Sequence, residues 1–191
     1  MKLFSFVKTT DVDRVMECGI KSDEYCAVEA EMYGIKKQCL LAFLSPYDSP
    51  LINDDSYMPL KIDLQPETVV VAEGVFRENG SEELYEGSFV KLSGYTFGSF
   101  RKPECLVPGS VLPDAIEKYN KTMDEPLLYT NSEELYIDSM FAKFTDEIPG
   151  FKEQSLAAFF NSRRMDGVRS VKEGKYTFYA ENGEVRFISR G

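Results

Sequence analysis

Histidine is missing from all 191 residues. Its absence removes the commonest general base and the commonest zinc ligand together, and excludes Ser-His and Cys-His nucleophilic mechanisms. The four cysteines, Cys18, Cys26, Cys39 and Cys105, show no C-x-x-C spacing. Without imidazole or clustered thiolates, no metal site is expected. Three of the cysteines fall in or beside apolar stretches and read as buried free thiols of a reducing compartment. No apolar run approaches the ~18 residues of a membrane span. The opening Met1 to Lys8 reads as too short and too polar around Ser5 for a secretory signal. These absences place the chain, as an expectation, in the cytoplasm.

What is present suits a packed core. A hydrophobic fraction of 43%, with 14 Phe and 11 Tyr, is enough to fill one without disulfides or metal. The length fits one domain, or one domain with a small appendage. Charge is unevenly placed. Residues 1–150 carry 14 Lys and Arg against 27 Asp and Glu, a balance of −13; residues 151–191 carry 8 against 5, a balance of +3. An acidic body repels phosphate backbones, which argues against broad nonspecific binding to nucleic acid.

Along the chain, Lys2 to Val7 alternates apolar and polar residues as a strand does. Thr10 is placed to cap a helix that carries Val12, Val15 and Met16 on one face and ends at Gly19. Val28 to Met32 suggests a short helix before a turn at Gly34. Gln38 to Leu44 is an apolar run of strand length, stopped by Ser45-Pro46. Tyr47 to Pro59 has loop composition. Pro59 to Leu64 and Thr68 to Ala72 read as strands, and Ser81 to Ser93 as a short helix after the Asn79-Gly80 turn. Glu104 to Val107 is a strand, followed by a Pro113-led helix through Ile116 to Tyr119. A boundary falls within Lys121 to Thr130, dividing a 1–120 domain from a 131–191 subdomain. In the latter, Asn131 or Ser132 starts a helix through Phe144, and Lys152 to Arg164 forms a second. Tyr176 to Tyr179 and Val185 to Ile188 make a hairpin around Asn182-Gly183. The fold class is α+β.

Three segments in order carry a resemblance: "LFSFVKTTDVDRVMECGIKSD", "CLLAFLSPYDSPLI" and "RKPECLVPGSVLPDAIEKY". Together they resemble the ADP-ribosyltransferase superfamily, in particular its DarT-like toxin branch, over residues 2–119. The resemblance implies a mixed or antiparallel split sheet with flanking helices. It also implies NAD as cofactor, no metal, and a nucleic-acid or protein acceptor. Glu104 would be the catalytic carboxylate, stabilising the oxocarbenium-like sugar cation formed as the glycosidic bond of NAD breaks. Ser5 and Phe6 on the opening strand would meet the nicotinamide, Tyr95 or Phe97 would stack on its ring, and Arg101, with Lys102, would face the pyrophosphate. Ser5 stands where the family has a histidine, and Tyr47 or Asp48 where the branch has an arginine. A protein that shares the fold but has altered or lost the activity is therefore one outcome.

Two other classes stay open. One is a non-enzymatic module that docks a protein partner. The other is a DNA-binding regulator built on residues 131–191, whose order of helix, turn, helix and hairpin suits a winged-helix reader. The Asp48, Asp54, Asp55 cluster lacks the spacing of a calcium loop and reads as a solvated loop. Glu82, Glu83 and Glu86 read as a wet helix face.

Overall fold

A computed structural model of the chain describes residues 1–32, 34–120, 131–147, 170–173, 176–181 and 184–189. The helix expected over Lys152–Arg164 and the Asn182-Gly183 turn lie outside these residues. The chain divides into two compact units, Met1–Ser132 and Glu133–Gly191. The class is α+β, and every strand pair among the described residues is antiparallel.

The first unit is built on two sheets. Strand β1 (Lys2–Lys8) pairs with β4 (Tyr57–Asp63), which pairs in turn with β8 (Ile116–Lys118). The second sheet holds β2 (Val28–Met32), β3 (Ile35–Ala42), β7 (Pro103–Pro108), β5 (Val70–Glu73) and β6 (Val90–Lys91), side by side in that order. A single bridge, Phe4 to Phe43, joins β1 to the chain just beyond β3. β3 therefore lies between the opening strand and the strand that bears Glu104.

Period-two alternation sorts these strands into faces. Leu3 and Val7 of β1, Leu40 and Ala42 of β3, and Cys105 and Val107 of β7 join the larger core, with Val12 and Val15 of helix α1 (Val12–Cys18). Cys39, Ala72 and Leu106 point the other way, into a smaller core with Ala30, Met32 and Tyr85. Full burial of each such aliphatic side chain contributes roughly 1.5–3 kcal/mol. α1 ends at Gly19, whose φ of +82° and tight approach to Val111 leave no room for a side chain: a Cβ would lie 2.3 Å from the Val111 carbonyl oxygen.

Three segments depart from the expectations above. The helix read over Ser81 to Ser93 stops at Gly87, because Val90–Lys91 extends to pair with β5 as β6. Val28 to Met32 is a strand and not a helix: Ala30 and Met32 face inward while Glu29 and Glu31 face outward, a period of two that pairing with β3 stabilises. The chain after Pro113 makes one 3-10 turn, Pro113–Ala115, and then extends as β8. Proline was compatible with either start, and the ladder partner on β4 decided the outcome. Asp11, with no side-chain capping bond, takes the N-cap position of α1 that was assigned to Thr10. Of the cysteines, Cys39 and Cys105 are buried, whereas Cys18 and Cys26 are exposed; all four are free.

In the second unit, helix α4 (Ser132–Glu147) is followed by a meander of β9 (Ser170–Glu173), β10 (Tyr176–Glu181) and β11 (Glu184–Ser189). The expected hairpin pairs Phe178 with Phe187 and Tyr179 with Arg186. No helix among the described residues is long and apolar enough to cross a membrane.

Candidate functional site

Strand β7 carries five consecutive buried residues, and one of them is an acid: Glu104 is 6% exposed. A buried carboxylate needs partners to replace lost water. Helices α2 (Gly74–Glu78) and α3 (Glu82–Gly87), which follow β5 directly, supply them. Arg77 donates from Nε to Oε2 at 2.9 Å and from Nη2 to Oε1 at 2.5 Å, a bidentate fork. The Tyr85 hydroxyl donates to Oε2 at 2.9 Å.

Gly74 completes the cradle. It packs so closely that a Cβ there would lie 2.8 Å from the Glu104 carboxyl carbon. Its own N–H donates to the Lys102 carbonyl oxygen, which ties the start of α2 to the approach to β7. The electrostatics follow from this geometry. Hydrogen bonding to Glu104, and then its charge, hold the Arg77 guanidinium protonated well above its ordinary range. Burial and then the Glu104 charge push the Tyr85 phenol far up, so it stays a donor at any physiological pH.

A second buried acid, Glu73, shapes the neighbouring loop. Its carboxylate accepts the backbone N–H groups of Arg101 (2.7 Å), Lys102 (2.8 Å) and Val75 (3.4 Å). Arg101 and Lys102 are therefore fixed by their backbone, and the Lys102 ammonium pairs with Glu78 at 2.8 Å.

The residues assigned from sequence separate by face. Glu104 shares its face of β7 with Leu106, in the smaller core with Tyr85. Extending the register Ala42 to Cys105 by one residue sets Phe43 opposite Glu104, and the bridge sets Phe4 beyond Phe43. Phe6 lies on the Phe4 side of β1 and meets Phe43 edge-on, with ring centroids 6.0 Å apart. Glu104 and Phe6 thus belong to one side of the molecule. Tyr95 lies on the other side, buried in the larger core with Cys105 and packed against Phe97 and Phe100 at 5.6 and 5.3 Å. Burial pushes its phenol up to about 12. Ser5 alternates with Phe4 and Phe6 and so faces the larger core. Its hydroxyl donates to the Leu41 carbonyl at 3.1 Å, linking β1 to β3 beside the Phe4–Phe43 bridge. Arg101 approaches the Glu104 region through its backbone contact with Glu73.

Asp48 accepts from the backbone N–H and the hydroxyl of Ser132 at 2.6 and 2.7 Å and from the backbone N–H of Ser45 at 3.0 Å. It anchors the end of the first unit. Asp54 and Asp55 are exposed, and no group of acids or cysteines among the described residues could hold a metal ion.

Gly74, Arg77 and Tyr85 were not singled out from sequence. They lie in "AEGVFRENGSEELY", where no periodicity marks them, and only pairing of β5 with β7 brings them to Glu104. No protein-family model, curated protein or solved structure matches the chain.

Proposed function

We propose that this chain is an ADP-ribosyltransferase-like protein that binds NAD on the Glu104 face of its five-stranded sheet, with catalysis attenuated. The observation that carries the reading is a buried carboxylate, built into a dedicated cradle and sharing its face with the partly buried aromatic pair Phe6 and Phe43. The forked arginine, the tyrosine and the close glycine hold that carboxylate in one orientation, as a site that presents it to a ligand requires. The two sheets, bridged at Phe4 and Phe43, accord with the split sheet implied by the resemblance.

In this reading the nicotinamide ribose lies against Glu104 and the ring against Phe6 and Phe43. Ser5 and Tyr95 have structural roles on the other face. Attenuation follows from the hydrogen bonds: both Glu104 oxygens already accept from Arg77, and one also from Tyr85. A carboxylate whose oxygens are already engaged in this way has less unshared charge to offer a sugar cation than a free one.

Calorimetric titration with NAD up to millimolar concentration tests the proposal. We expect binding heat from the unmodified protein, reduced at least tenfold in affinity for Glu104→Ala, with nicotinamide released slowly or not at all. An absence of heat across that range removes the reading. Rapid multiple-turnover release of nicotinamide would keep the binding site and remove the attenuation.

A further inference from the structure

Of the cations expected at the proposed nucleotide site, Arg101 is held through its backbone by Glu73 and Lys102 pairs with Glu78. The loop after β3 offers Asp48, which the Ser132 cap occupies, and the opening strand offers Ser5. Arg77 is the charged group that the fold brings to the carboxylate instead.

Its geometry is that of a residue with a second task. The Nε and Nη2 atoms fork onto Glu104, while Nη1 has no partner among the described residues, and the side chain is 41% exposed. Full burial would cost the guanidinium its remaining hydration, so an arginine can neutralise a buried acid from a half-exposed position. This one keeps a planar edge toward solvent, with N–H donors pre-oriented by the fork on the other side. That is the arrangement that recognises phosphate oxygens in the guanidinium plane. Pairing also cancels the Glu104 charge, which would otherwise repel an anion a few ångströms away. The second cation nearby, Lys102, sits on the strand approach just before Glu104 and is tethered to Glu78 on the same short helix as Arg77.

We infer that Arg77 is a binding residue for the diphosphate of a dinucleotide, holding Glu104 with one edge and phosphate oxygens with the other. The inference rests on the NAD-binding reading above and deepens it by naming the ligand group that Arg77 takes.

The test compares NAD, ADP-ribose, inorganic pyrophosphate and nicotinamide riboside, which carries no phosphate, by calorimetry on the full chain and on Arg77→Lys and Arg77→Met. Each variant is first checked for a cooperative melt. The expected result is a loss of tenfold or more in NAD and ADP-ribose affinity in both variants. Pyrophosphate should compete with NAD on the unmodified chain, and riboside binding should change less than threefold in Arg77→Lys. A loss of NAD and riboside binding in parallel means that Arg77 only supports the fold, and overturns the inference. Unchanged NAD affinity overturns it as well, while leaving the NAD site intact. If neither variant folds, pyrophosphate competition on the unmodified chain decides: competition supports the inference and its absence overturns it. Failure of the unmodified chain to bind NAD at all removes the underlying reading, and the inference with it.

Discussion

At the scale of single residues, one carboxylate organises its surroundings. Glu104 is buried on a strand, a position where an acid is costly unless each oxygen is met. Gly74 shows how little slack there is, because a methyl group at that position would overlap the Glu104 side chain from its γ carbon to Oε1. Gly74→Ala is expected to destabilise the protein by roughly 1–3 kcal/mol through overpacking, read as a lower urea midpoint at unchanged slope. Unchanged stability would mean that the cradle yields easily. Removing Arg77 costs less than breaking a fully buried pair, because it is 41% exposed. Screening brings the expected loss to roughly 1–3 kcal/mol.

At the scale of elements, the sequence was most readable where local pattern and pairing agree. Phe-rich alternation placed β1, the apolar run placed β3, and Tyr176 to Ile188 read as the hairpin that forms. It misled where a short segment had no local preference strong enough to resist its neighbour: Val28 to Met32 joined β3, and Ile116 to Lys118 joined β4. Glu104 was visible because its strand and flanking prolines stand out. Its partners were not, since Arg77 and Tyr85 reach it across 27 and 19 residues of sequence. Glu73 was missed for the same reason. Its three backbone contacts fix the entry of α2 and the approach to β7 together. Glu73→Gln replaces one acceptor oxygen by a donor that faces a backbone N–H, and is expected to cost about 2 kcal/mol. Amide exchange at Arg101 and Lys102 should accelerate in that variant, and unchanged exchange there would show that the loop is held by something else.

At the scale of the molecule, several acidic groups are stabilised in their neutral form by burial. Desolvation raises the Cys39 thiol from 9.0 to about 11 and the Tyr95 phenol from 10.0 to about 12. A group whose folded pKa is raised holds its proton in the native state while the unfolded chain loses it. Its contribution is complete below the unfolded value and disappears as pH rises to the folded one. Between neutral pH and about pH 9 these groups add no slope, and stability should fall from about pH 9 to about pH 12. Cys39 alone contributes about 2 kcal/mol of that fall at the upper end. Urea midpoints at pH 8 and pH 10.5 check this, and Cys39→Ala should flatten the slope.

Amide hydrogen exchange with and without NAD, followed by mass spectrometry, tests most directly whether the Glu104 face is a nucleotide site. The account predicts slower exchange confined to 4–7, 42–44, 74–87 and 103–108, lost in Glu104→Ala. Protection elsewhere, or none at saturating NAD, would contradict it and leave Glu104 as a structural tie between a strand and two short helices.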